Sequence, residues 1–316
     1  MLRDDDIAQQ RARFVAAVHT GLSAPQKRLP TEFLYDDRGS ALFDDICEVP
    51  EYYLTRTELG IMRAHVAQMA ADIGPDASVI EYGSGSSTKT RLLLEAMVRP
   101  RAYVPVDISR GHLETVCAQL RLEYPALVIA PVVADFTRPF ELPMLLAGPR
   151  VAYFPGSTIG NFEPVAASAL LRRMGQQVGP DGCVLIGADL RKSLAVLEPA
   201  YDDAAGVTAA FNLNLLVRVN RELSGDLDPS RFRHRAYYDT EHGRIVMTLV
   251  STCAQRANVA GRRFDFDRDE VIITEYSHKY TLDGFAGLAA DAGLAVAQVW
   301  TDNAQWFSVQ RLVPIV

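Results

Sequence analysis

The sequence predicts an α/β protein: a doubly wound parallel sheet ending in an antiparallel strand pair, with a second α+β domain inserted into it. Three observations carry this prediction. From Ala77 onward, short apolar runs alternate with helical segments at the pitch of βαβ units. Successive runs end in Gly83-Ser84-Gly85, Asp107, Asp135 and Asp189, the edge at which open α/β sheets bind ligands. The alternation then breaks from about Ser193 to Lys279 and resumes, as an insert requires.

The elements follow in order. Ile7 to Leu22 places Ile7, Phe14, Val15, Val18 and Leu22 on one helical face. Next comes KRLPTEFLYDDRGSALFDDICEVPEYYLTRTE, dense in aromatics and charge, with a short helical pattern over Ala41–Cys47, followed by a helix over Leu59–Ile73. Ala77–Tyr82 reads as a strand, and a glycine loop leads from it into a helix over Thr88–Met97. Strands at Ala102–Val106 and Leu127–Val133 flank a helix over Arg110–Glu123. Val151–Phe154 is the fourth strand. It runs into the small, polar loop PGSTIGNF, a helix over Pro164–Gln177 and a fifth strand at Cys183–Ala188.

The insert reads as a helix-rich stretch, Tyr201–Glu222, followed by strand-like segments at Arg235–Asp239, Arg244–Ser251 and Val271–Tyr276. A helix over Leu282–Ala292 and strands at Leu294–Thr301 and Phe307–Val313 close the chain. A terminal strand pair suits a methyltransferase sheet, whose last strand is inserted antiparallel, better than a dehydrogenase sheet. The division expected is 58–192 with 280–316 for the sheet domain, and 5–57 with 193–279 for the second.

Composition narrows the function. A formal charge of −7 and a pI near 5.4 argue against nucleic acid as main partner, because phosphate backbones need a basic footprint. The four cysteines are far apart and include no C-x-x-C pair, which fits reduced thiols in the cytoplasm. The acidic, polar N-terminus is unlike a signal peptide, and no apolar run approaches a membrane span. No H-x-x-x-H or H-x-H pair suggests a metal. No obligate protein partner is evident.

The loop VIEYGSGSSTKT stands where a doubly wound fold binds its cofactor. Gly83 and Gly85 let backbone approach a ligand or take positive φ. The third glycine of G-x-G-x-x-G is replaced by Thr88, which suits a cofactor without pyrophosphate. Asp107 is placed to accept ribose hydroxyls, and Asp135 the adenine amino group with Phe136 against the ring. Singly, each aspartate reads equally as a cap after a strand. Together with the glycine loop they favour an adenosine, with S-adenosyl-L-methionine the fitting compound.

EYGSGSSTKT, YFPGSTIGNF, YDDAAGVTAAFN and TEYSHKY, with YDDRGSALFDDI and PEYYLTRTE upstream, closely resemble the L-histidine Nα-methyltransferases of ergothioneine biosynthesis. The likeness runs from about Lys27 to the C-terminus. It implies a Rossmann-like class I methyltransferase sheet with an antiparallel terminal strand, plus an α+β substrate-binding domain. It implies trimethylation of the α-amino group of histidine to hercynine, with S-adenosyl-L-homocysteine released. By motif it implies that Tyr35 lies near the transferring methyl and that Gly83, Ser84, Gly85, Lys89, Asp107, Asp135 and Phe136 contact the cofactor. Gly156 and Asn161 would hold the amino acid head group, Asn161 also orienting the amine, and Tyr201 its carboxylate. Tyr52, Phe211, Met247, Glu275 and Ser277 would surround the imidazole.

Several of these residues have plainer readings. TEYSHKY alone reads as an exposed polar strand face, Lys89 as a solvated helix residue, and Met247 as core. Ser157 and Thr158 are expected to cap the turn after their strand, and His278 to be structural. Three other functions remain open at this stage: methylation of another amino acid or amine, an NAD-dependent oxidoreductase, and a non-catalytic sensor of an adenosyl ligand.

Overall fold

A computed structural model describes residues 4–84, 88–143 and 148–315. The chain divides into two compact units, Met1–Tyr53 with Lys192–Ser277, and Leu54–Arg191 with His278–Val316.

The first unit begins with α1 (Asp4–Ser23) and α2 (Asp37–Glu48). The second takes α3 (Tyr53–Ile73), β1 (Ser78–Tyr82), α4 (Thr88–Ala96), β2 (Ala102–Asp107) and α5 (Arg110–Glu123). It continues with β3 (Val128–Ile129), β4 (Val132–Val133), β5 (Arg150–Phe154), α6 (Pro164–Val178) and β6 (Cys183–Asp189). The chain then supplies the first unit with α7 (Leu194–Leu197), α8 (Val207–Leu223), β7 (Phe232–Asp239), β8 (Arg244–Ser251), β9 (Gln255–Val259), β10 (Arg262–Phe266) and β11 (Val271–His278). α9 (Leu282–Asp291), β12 (Leu294–Thr301) and β13 (Phe307–Pro314) complete the second.

The sheet of the second unit runs β12-β13-β6-β5-β1-β2-β3, with β4 also on β2. β1 pairs parallel with β2 and β5, and β5 with β6. β13 is inserted antiparallel between β6 and β12, as the terminal strand pair predicts. Central strands are covered on both faces, so β1 and β6 are buried along their whole length, with apolar centres at Val79-Ile80 and Val184-Leu185-Ile186. α6 shows why this sequence is helical: Pro164 starts it, and Ala167, Leu170, Leu171, Met174 and Val178 fall on one face against the sheet. Each buried leucine there contributes about 2 kcal/mol.

Three expectations are corrected. The strand expected over Leu127–Val133 is broken into β3 and β4, because Pro131 between them has no N–H to give the ladder. The helix-rich stretch expected over Tyr201–Glu222 is narrowed to a helix that starts only at Val207. Gly206 is left-handed (φ 75°), and the Asp203 carboxylate accepts from Val207 N (2.9 Å) and Thr208 N (2.8 Å), so Tyr201 lies in the preceding turn. A hairpin, β9–β10, also stands where no strand was expected. Ala257, Val259, Phe264 and Phe266 are buried, and its turn at Ala260-Gly261 has positive φ at both residues.

In the first unit β11, β8 and β7 form a three-stranded sheet. α8 packs on β7 and β8, and α2 and α1 pack on α8.

Candidate active site

At the carboxyl edge of the second unit's sheet, β1 turns at Gly83 (φ 74°), whose N–H donates to Val106 O at 2.9 Å. The position favours glycine, and a Cβ there would lie 3.7 Å from the Phe136 ring. Ser84 is fully buried, and its hydroxyl has no hydrogen-bond partner among the described residues. Gly85 lies outside the described residues. Asp107 ends β2 and accepts from Ser109 N (2.8 Å), and Asp135 accepts from Thr137 N (3.0 Å) and the Thr137 hydroxyl. Both aspartates therefore close a short i to i+2 turn, and neither is the helix cap of the plainer reading: the residue that precedes α5 is Ser109. Each still sits with its carboxylate at a strand end on the ligand-binding edge. Phe136 meets Tyr82, Phe154 and Phe162 edge-on, at centroid distances of 6.1, 5.6 and 6.4 Å. An unpartnered buried hydroxyl, an open glycine, a fixed aromatic ring and two carboxylates suit an adenosyl compound.

Beneath this edge Glu81 is 2% exposed and accepts from Thr90 Oγ1 (2.7 Å) and the Tyr103 hydroxyl. Burial pushes its carboxyl up to about 7, against the lowering effect of both hydrogen bonds and of Lys89.

The loop after β5 is held from several sides. Gly156 (φ 81°) donates its N–H to Glu58 Oε2 (2.9 Å) and Oε1 (3.1 Å). That N–H is thus taken. Ser157, itself left-handed (φ 58°), does not cap the turn. Its hydroxyl accepts from Asp189 N at 2.9 Å, and the Thr158 hydroxyl donates back to Pro155 O at 3.1 Å. The expected capping is therefore overturned: the left-handed backbone at Ser157 turns its side chain to the end of β6. Gly160 backs onto His278, where a Cβ would come within 2.7 Å of its carbonyl oxygen. Asn161 closes the turn Thr158–Asn161 and is half-buried.

Lys89 is no solvated residue. Its ammonium pairs with Glu58, which is 1% exposed. Glu58, and the fully buried Lys279–Asp189 pair (2.8 Å), escaped sequence reasoning. For Glu58 a signal existed: Leu54, Glu58, Ile61 and Met62 share one helical face, so its carboxylate had to be buried.

In the first unit, sequence-distant residues converge on an aromatic cluster. Tyr35 meets Phe43 (5.5 Å) and Phe211 (5.4 Å) edge-on, and Tyr52 meets Phe43 (6.2 Å) and Tyr201 (6.1 Å). Tyr201 Oη and Ser277 Oγ are 2.9 Å apart. Glu275 and Ser277, alternate residues of β11, are 7% and 3% exposed, so TEYSHKY is not a solvated face. Met247 is buried on β8, and its carbonyl accepts from Thr274 Oγ1 (3.1 Å).

Burial pushes the Tyr35 and Tyr52 phenols well up, and Glu275, Tyr201 and Cys47 add to it. Behind Tyr201, His234 Nε2 donates to its carbonyl (2.8 Å) while Nδ1 accepts from Asn212 Nδ2 (2.9 Å), which fixes one neutral tautomer. Burial lowers the pKa of this imidazole accordingly.

A sequence model of the family described as histidine-specific, SAM-dependent methyltransferases matches residues 14–314. The chain is 41% identical over 302 residues to a histidine N-alpha-methyltransferase of Mycolicibacterium smegmatis, covering 94% of this chain and 93% of that protein. It is 39% identical to a histidine N-alpha-methyltransferase of Mycobacterium tuberculosis, covering 92% of each. Ergothioneine biosynthesis protein 1 of Neurospora crassa is 30% identical over 87% of this chain, which spans 32% of that longer protein.

Proposed function

The chain belongs to the histidine-specific, SAM-dependent methyltransferase family, and from that premise we propose that it trimethylates the α-amino nitrogen of L-histidine. The product is hercynine, and the reaction is the first step of ergothioneine biosynthesis. An oxidoreductase reading falls with this family membership. The observation that carries the choice of acceptor is the burial of Glu275 and Ser277 on one face of β11, beside the aromatic cluster.

S-adenosyl-L-methionine, when bound, supplies a methyl group already activated on a sulfonium. Gly83, Ser84, Asp107, Asp135 and Phe136 would hold its adenosine, and Lys89 its amino acid end. Glu275 and Ser277 serve the two imidazole nitrogens, and Tyr52, Phe211 and Met247 enclose the ring. Phe and Leu offer Glu275 and Ser277 no ring nitrogen to hydrogen-bond, a basis for rejection.

The protein's remaining task is to align the amine and present its lone pair. The α-ammonium must lose its proton before attack, and burial, which disfavours the charged form, helps to release it. Tyr35, held as a neutral phenol, and the Asn161 side-chain oxygen can accept the amine's N–H groups. Each methylation removes one such donor, so the last transfer depends more on shape. Tyr201 takes the carboxylate. No helix among the described residues is long and apolar enough to cross a membrane, and we place the reaction in the cytoplasm.

The test is mass spectrometry after incubation with S-adenosyl-L-methionine and a panel of amino acids. Gain of three methyl groups on histidine alone is expected. No gain on histidine, with gain on another amine, would sink the assignment.

A further inference from the structure

The Glu58 carboxylate, near the start of α3, reaches two places that are far apart in sequence. It accepts from Gly156 N with both oxygens (2.9 and 3.1 Å), and it pairs with the Lys89 ammonium. Gly187 on β6 makes room for it, since a Cβ at that position would strike Oε1. A Cβ built on Gly156 would lie 3.7 Å from Lys89 Nζ, so the ammonium lies over the bare face of the loop. At 1% exposure, a carboxylate this deep is retained at a cost unless its partners are well matched.

We propose that Glu58 is a positioning residue for methyl transfer: one buried carboxylate fixes both Lys89, at the cofactor loop, and Gly156, in the loop assigned to the acceptor, so that the two binding events are coupled. The inference rests on the cofactor reading given above. Lys89 is a flexible four-carbon arm with three N–H donors. With one donor held by Glu58, the ammonium is oriented before a ligand carboxylate arrives, and less rotamer freedom is lost on binding. The same carboxylate holds the Gly156 peptide in its left-handed turn, so a change at one partner is felt at the other. Tyr153, on the strand leading into the loop, has its phenol held well up by burial first and then by the charges of Glu58 and Glu81. It therefore remains a neutral neighbour that does not compete for Lys89.

The experiment is a double-mutant cycle on the full chain, with S-adenosyl-L-homocysteine as the calorimetric probe. Wild type, Glu58→Gln, Lys89→Met and the double variant are compared, together with histidine KM and kcat. If Glu58 acts through Lys89, each single variant weakens homocysteine-cofactor binding about tenfold and the double variant is no weaker than Lys89→Met. Glu58→Gln also raises histidine KM several-fold, a readout that a purely structural ion pair would not move. Should Glu58→Gln fail to fold, as judged by circular dichroism, the same cycle is run with Glu58→Asp, whose carboxylate is one methylene shorter. Additive losses, or a folded variant within twofold of wild type in both Kd and KM, would overturn the proposal alone. A wild-type protein that does not bind S-adenosyl-L-homocysteine would overturn the cofactor reading, and this proposal with it.

Discussion

At the scale of single residues, the Tyr35 hydroxyl is kept protonated by its surroundings. Burial comes first, and Glu275, Tyr201 and Cys47 reinforce it. In the proposed reaction its contribution is thus a hydrogen bond, not a negative charge. Tyr35→Phe keeps the ring contacts with Phe43 and Phe211 and removes only that bond, so kcat should fall about tenfold with histidine KM little changed. Steady-state kinetics decide it: equal losses in both constants would make the tyrosine merely structural. Glu275 makes the converse case. On the proposed reading, Glu275→Ala leaves an imidazole N–H buried without its acceptor, which should raise histidine KM by about ten- to a hundredfold. Its discrimination against phenylalanine should shrink correspondingly in a competition assay.

At the scale of elements, Asp36 ties α2 to α8 and so fixes the residue just before it, Tyr35. Its Oδ1 accepts from Gly39 N (2.7 Å) and Asn214 Nδ2 (2.8 Å), and its Oδ2 from Arg221 (2.6 Å). Burial pushes this carboxyl up, but the hydrogen bonds from Arg221, Gly39 and Asn214 outweigh that and leave it below its ordinary value. A depressed carboxyl stabilises above its unfolded pKa and loses that stability as pH falls through the folded one. Asp36→Ala removes the cap of α2 and should cost about 1–2 kcal/mol in urea unfolding, whereas Asp36→Asn, which can still cap, should cost less.

Elements such as α5, α6 and the parallel strands were legible because their periodicity and terminal residues agree. The β9–β10 hairpin was not, although Ala257, Val259, Phe264 and Phe266 alternate correctly, because Ala260 is an unfavourable residue for a left-handed turn position. Pro131 was visible in the sequence and should have split its strand.

At the scale of the whole molecule, the glycine loop and the strand-end acids were readable, whereas the partners of Glu58, the Lys279–Asp189 pair and the His234 relay were not. The former depend on position along one strand, the latter on which distant side chains meet in three dimensions. The buried ionisable groups also give the two units opposite responses to pH. In the first, His234 is held neutral, with a pKa below its unfolded value of 6.5, so stability present above pH 6.5 is lost as pH falls below it. In the second, Glu81 has a folded pKa raised from 4.5 to about 7. A raised carboxyl pKa favours the protonated folded form. Stability is therefore full below the unfolded pKa and declines as pH rises from about 4.5 to about 7, by about 3 kcal/mol. Both tryptophans, Trp300 and Trp306, lie in the second unit, so their fluorescence during urea unfolding follows that unit. The wild-type midpoint should fall between pH 5 and 7.5, and Glu81→Gln should flatten that fall while hydrogen exchange in β7 and β8 keeps its acid sensitivity. If the slope survives in Glu81→Gln, the buried carboxyl is not its source.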